Sequence, residues 1–286
     1  MEIERNFWVV GGDRRQLELA KLLENDGHTV HTAALGPGAK QELEQDASRA
    51  HCIILPLPVT TAEGLLHTPL SQKQYRLEEV LDVLHPGQLI CGGIPSAEVK
   101  RQMDVRGLQL CDYYAREECM IANAVPTAEG ALQIAMEAMS TTLHGSRVLV
   151  IGFGRVGKLT AHRLNALGAR VTVAARKCED LAWAQAYGYD TENSVRLSYW
   201  LGGYDLIINT VPAMMLDELH LEWIQPEAFL IDLASLPGGI DLEAASRLDL
   251  RAVRIGGIPG RSAPVTAAKA IRDSIYNILN EVEGKG

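Results

Sequence analysis

The chain has 286 residues, 47% of them hydrophobic and only 5% aromatic, with a formal charge of −9 at neutral pH. That length allows two domains of ordinary size with largely aliphatic cores. The negative surface argues against nucleic acid as a partner, although a few local arginines can still hold a small anion. Cys52, Cys91, Cys111, Cys119 and Cys178 are scattered, odd in number and without C-x-x-C spacing. They read as reduced thiols, not disulfides or zinc ligands, and no metal site is expected. The acidic start Met1-Glu2-Ile3-Glu4-Arg5 has no signal-peptide pattern, and no apolar run approaches the roughly 20 residues of a membrane helix. A cytoplasmic protein is the expectation.

In chain order, residues 7–10 form a short apolar run stopped by Gly11-Gly12, which reads as a buried strand entering a turn. Residues 14–25 read as a helix capped by Asp13, and residues 29–33 as a strand. Further strands are expected at 51–55, 88–91 and 108–110, with a helix at 77–84. Pro126-Thr127 looks like a helix start, with Thr127 as N-cap and a helical pattern over 128–143. The alternation then resumes: strand 147–151, helix 158–167, strand 170–174, helix 181–187, and strands at 205–209, 229–233 and 253–255. A final helix covers 266–282. Strands alternating with helices mean parallel β-α-β units. The fold class is therefore α/β, with two doubly wound parallel-sheet domains joined by a long crossing helix. The expected divisions are 1–126 for a substrate and catalytic domain, 127–144 for the crossing helix, 145–262 for a nucleotide domain and 263–286 for a helix returning to the first domain. Ligands are expected in a cleft that collects the strands' carboxyl ends.

The motif Gly152-Phe153-Gly154-Arg155-Val156-Gly157 follows an apolar strand and opens a helix. In that context G-x-G-x-x-G is a Rossmann-type dinucleotide loop. Its first glycine allows the turn, its second admits the pyrophosphate, and its third lets helix pack on strand. The acid that takes the ribose hydroxyls in NAD-preferring domains is absent, and Arg176-Lys177 stand in its place. A guanidinium there can grip a 2′-phosphate, so NADP is preferred over NAD. The alternatives are that Arg176 stacks on adenine or faces solvent. Thr210, Val211 and Pro212, with Leu233 and Ser235, are expected to line the cofactor site from two further strand ends.

Three strings carry a resemblance: residues 123–131 (Asn-Ala-Val-Pro-Thr-Ala-Glu-Gly-Ala), 232–239 (Asp-Leu-Ala-Ser-Leu-Pro-Gly-Gly) and 257–264 (Gly-Ile-Pro-Gly-Arg-Ser-Ala-Pro). With the opening loop Gly11-Gly12-Asp13-Arg14-Arg15-Gln16, they resemble the dipicolinate synthase A-subunit family of spore-forming bacteria. The resemblance implies oxidation of dihydrodipicolinate to pyridine-2,6-dicarboxylate with NAD(P)+. It also implies a flavoprotein-like partner, the synthase B-subunit, and a place in the mother cell of a sporulating bacterium; a homo-oligomer is expected as well. A dicarboxylate needs cationic donors, so Arg14, Arg15 and Arg261 are candidates for substrate binding, with Thr127 and Ser235 beside them. Glu129 or Asp13 is the expected proton acceptor. Thr127 and Glu129 also fit an ordinary N-cap and first-turn acid.

Two other readings stay open. A D-2-hydroxyacid dehydrogenase, similar in fold, uses a late histidine, whereas all eight histidines here precede residue 221. A cofactor-binding scaffold or sensor without catalysis of its own is compatible with the lack of an obvious acid-base pair.

Overall fold

The computed structural model describes residues 4–36, 47–199 and 201–284; the first three residues of the acidic start lie outside them. The chain divides into two compact units, Met1–Asn123 with Gly260–Gly286, and Ala124–Pro259.

The first unit is built on a five-stranded parallel sheet in the order β2-β1-β3-β4-β5. Its strands are β1 (Asn6–Val10), β2 (Thr29–Ala33), β3 (Cys52–Ile54), β4 (Leu89–Gly92) and β5 (Leu110–Asp112). Successive side chains of a strand face opposite ways. Thus Phe7 and Val9 join Leu19, Leu23, Ile271 and Ile275 on one face, while Trp8 and Val10 join Val80, Leu81, Val99 and Met103 on the other. Burial on both faces is why the central strands read as continuous apolar runs. The unit's helices include α1 (Arg14–Asn25), α2 (Leu77–Leu81) and α3 (Ala97–Val105). α1 starts in a capping box: Asp13 Oδ1 accepts the Arg15 N–H at 2.9 Å and Gln16 Oε1 accepts the Asp13 N–H at 3.1 Å.

α4 (Glu117–Ala138) starts well before the expected 127–144 span, and Pro126 lies in its interior. Thr127 is therefore a helix-interior residue and not an N-cap. The proline only looked like a helix start; Glu117 and Glu118 occupy the real first turn, where acids favour the helix dipole. Cys119 on this helix belongs to the first unit's core, and Leu132 and Ala135 to the second's.

The second unit holds a six-stranded parallel sheet in the order β11-β10-β9-β6-β7-β8. These are β6 (Arg147–Ile151), β7 (Arg170–Ala175), β8 (Asp190–Asn193), β9 (Leu206–Asn209), β10 (Phe229–Asp232) and β11 (Arg251–Arg254). Numbered within the unit, this is the doubly wound 3-2-1-4-5-6 order of dinucleotide-binding sheets. α5 (Arg155–Ala166), α6 (Cys178–Ala186), α7 (Glu218–Leu221) and α8 (Leu242–Arg247) complete it. The chain then forms α9 (Ile258–Ser262) and α10 (Pro264–Val282). α10 packs on α1 with its apolar stripe of Ala268, Ile271, Ile275 and Ile278. Arg116 clamps Glu281 of that helix with bonds of 2.9 and 2.7 Å. Among the described residues no helix is long and apolar enough to cross a membrane.

Candidate functional site

In the second unit the order of the sheet reverses between β6 and β9, so the crevice beyond their carboxyl ends is the expected ligand position. The glycine loop and Thr210 flank that crevice. Gly152 adopts φ +95°, and a β-carbon on it would collide with Thr210 Oγ1 and Val211. Thr210 is pinned there because both its N–H and its hydroxyl donate to the Ile151 carbonyl at 2.9 Å. A β-carbon on Gly157 would run into the Gly152 carbonyl. At Gly154 the opposite holds: a β-carbon would meet nothing within 4 Å.

Gly154 is also the N-cap of α5, no side chain caps it, and no acid stands in the first turn. The first-turn N–H groups thus face open space with the helix dipole behind them, an anion site by construction. This cradle fits a dinucleotide pyrophosphate. Gly152, Gly154, Arg155, Val156 and Gly157 would hold it. Phe153 would contribute backbone only, since its ring is buried edge-on against Tyr189 with Lys158 over it.

β7 ends at Ala175, and Arg176 follows it, exposed and without a partner among the described residues. Its neighbour Lys177 pairs with Glu179 at 3.3 Å. Both cations are exposed.

A network that the strand-end loops did not announce holds this end of the sheet. The parallel register sets Asn209, Asp232 and Arg254 side by side as the last residues of β9, β10 and β11. Asp232 is wholly buried; it accepts from Asn209 Nδ2 at 2.8 Å, the Gly239 N–H at 2.9 Å and Arg254 Nε at 2.8 Å. Burial pushes its carboxyl pKa up, but those bonds outweigh burial and hold it below the ordinary value. The network fixes the loops that carry Val211, Pro212, Leu233 and Ser235. Leu233 is half-buried, while Pro212 and Ser235 are exposed.

The first unit has its own switch point, between β1 and β3. Just past β1, Arg15 is buried and Arg14 is exposed. The Arg15 guanidinium donates from Nε to Asp13 Oδ1 at 3.0 Å, and from Nη2 to Asp13 Oδ2 at 2.9 Å and to the Leu57 carbonyl at 2.7 Å. Among the described residues no hydrogen bond engages its Nη1. Burial raises the Asp13 pKa, while the bonds and charge of Arg15 lower it, with a net fall. Gly260 lies against the pair: a β-carbon there would come within 3.0 Å of Asp13 Oδ2 and 3.2 Å of Arg15 Nε. Arg261, next in chain, is exposed.

Glu129, on α4 in the second unit, is exposed and paired with Arg163 at 3.1 Å. Each acid expected to accept a proton is thus engaged by an arginine. The structure does bring Asp13 and Arg15 together, and beside them stands a residue that the sequence reading passed over, His67. Its carbonyl oxygen accepts the Gly12 N–H at 2.8 Å. A lone histidine in a loop with no motif around it gave no signal of this.

Residues 6–114 match the family described as the N-terminal domain of the dipicolinate synthase A-subunit. Residues 118–236 match the NAD-binding domain of D-isomer-specific 2-hydroxyacid dehydrogenases. The dipicolinate synthase A-subunit of Bacillus subtilis (strain 168) is 32% identical over 97% of this chain and 96% of its own length. An NADP-dependent alcohol dehydrogenase C of Mycolicibacterium smegmatis is 33% identical over 40% of this chain and 35% of its own. The crystal structure of the dipicolinate synthase A-subunit from Bacillus halodurans superposes with a TM-score of 0.89 at 30% identity, covering 96% of this chain and 97% of that one. An NAD-binding dehydrogenase-like domain and a relative matched almost end to end leave one conclusion: the chain belongs to the dipicolinate synthase A-subunit family.

Proposed function

We propose that this chain oxidises dihydrodipicolinate to pyridine-2,6-dicarboxylate with NAD(P)+, alongside the synthase B-subunit, in the cytoplasm of the mother cell of a sporulating bacterium. The observation that carries this reading is the uncapped, unobstructed helix start at Gly154 behind Gly152. When bound, the nicotinamide supplies a hydride acceptor. The chain's own residues bind, orient and exclude water, and formation of an aromatic ring favours the direction of reaction. Arg15 is the residue for one substrate carboxylate, since its buried fork is already oriented by Asp13 and Leu57. Thr127, Ser235 and Arg261 stand as further substrate contacts, and Arg176 as the grip on the 2′-phosphate that makes NADP the preferred coenzyme.

The test mixes freshly made dihydrodipicolinate, NADP+ and the chain, with and without the B-subunit, and follows reduced-nicotinamide absorbance. No absorbance change under either condition defeats the reading. The engagement of Asp13 and Glu129 by arginines favours a second reading, a dinucleotide-binding scaffold or sensor without its own chemistry. Turnover by the chain alone would eliminate it.

A further inference from the structure

At the β1–β3 switch point His67 lies near the Asp13–Arg15 pair, Arg15 buried and Asp13 half-buried, and both charges act on its ring. The ring is half-buried, and its Nδ1 is buried with no hydrogen-bond partner among the described residues. Such an atom is rare in a native fold and calls for a reason. The backbone bond from Gly12 to the His67 carbonyl ties the histidine to the loop between β1 and α1, which also carries Asp13. Burial lowers the imidazole pKa first, Asp13 opposes that, and Arg15 lowers it again. Burial and Arg15 thus favour the uncharged ring, the form that accepts a proton.

We propose that His67 is the proton acceptor of the oxidation, acting on a substrate whose carboxylate is held by the Arg15 guanidinium. This rests on the substrate reading given above. Two hydrogens leave the dihydropyridine: one as hydride to NAD(P)+, which is reduced, and one as a proton from the adjacent saturated carbon to His67. The electron pair of that second C–H bond becomes the last π bond of the oxidised ring, and the imidazolium then releases its proton to water.

The full-length chain, without coenzyme, is titrated with pyridine-2,6-dicarboxylate by calorimetry from about pH 5 to 8, the window of histidine titration. Protonated His67 adds a cation beside the dianion, so wild-type affinity is expected to tighten by about tenfold as pH falls. His67→Gln flattens that profile, and Arg15→Lys weakens binding at every pH. With the B-subunit and NADP+, His67→Gln lowers turnover by about 100-fold, and added imidazole restores turnover to His67→Ala. Thermal midpoints and dinucleotide binding verify that each variant is folded. If the dicarboxylate does not bind, or binds Arg15→Lys as tightly as wild type, the substrate reading falls and takes His67 with it. If binding needs Arg15 but the pH profile and turnover survive in His67→Gln, the substrate reading stands and the role of His67 is overturned.

Discussion

The β-carbon that any residue but glycine would carry at position 157 falls on the carbonyl oxygen of Gly152. Helix α5 can lie this close to the end of β6 only because position 157 lacks a side chain. Gly157→Ala must therefore push the helix off the strand. The expected cost is about 1–3 kcal/mol, the range for overpacking a tight contact, together with loss of dinucleotide binding. Chemical denaturation and coenzyme titration measure the two effects.

Gly154→Ala is the contrasting case. Nothing within 4 Å opposes a β-carbon there in the free chain. Stability should change by less than about 0.5 kcal/mol, as for an unconstrained surface position. The methyl group would nonetheless occupy the pyrophosphate's approach, so coenzyme affinity should fall by at least about tenfold. Equal stability with equal affinity would show that the pyrophosphate lies elsewhere.

Arg176→Ala should weaken NADP+ by about tenfold or more and leave NAD+ nearly unchanged, since only the former has a 2′-phosphate for the guanidinium. The side chain has no partner within the described residues to lose, so stability should not move. An equal loss for both coenzymes would refute the 2′-phosphate role.

The pH dependence of stability follows from Asp232 and Asp13. Both folded-state pKa values lie below the unfolded 3.8. Each carboxylate thus contributes stability that is present above about pH 4 and is lost as pH falls through the folded value. Asp232→Asn removes the Asp232 share of that dependence and leaves Arg254 without its counter-charge. A cost of about 3 kcal/mol is expected, at the low end for a broken buried pair because Arg254 keeps some contact with water. Urea unfolding of wild type and variant at about pH 7 and about pH 3 checks both the size and the sign.

Binding of pyridine-2,6-dicarboxylate separates the two neighbouring arginines. Arg15→Lys keeps the charge but loses the planar fork, and affinity should fall by about tenfold or more. Arg14→Ala, at an exposed position, should change it by less than about twofold.

Much of this fold was legible because parallel sheets write themselves as apolar runs punctuated by glycine. α1, β2 and β6 fall where periodicity placed them, and the Gly152 loop sits at a switch point as its context required. β8 was invisible: Asp-Thr-Glu-Asn is an edge strand with no apolar alternation to read. α4 was misplaced because a proline followed by threonine resembles a helix start, while nine residues before it, Glu117 to Val125, are already helical. The Asn209–Asp232–Arg254 network and the neighbourhood of His67 depend on register and loop packing, which join residues far apart in the chain and leave no local mark.

Pro126 has a further effect within α4. Lacking an N–H, it cannot bond the carbonyl of Ala122, one turn back, and the boundary between the compact units passes nearby, after Asn123. Residues of this one helix thus belong to two compact units. Amide exchange along it should step at this point, with Cys119 reporting the opening of one unit and Ala135 that of the other.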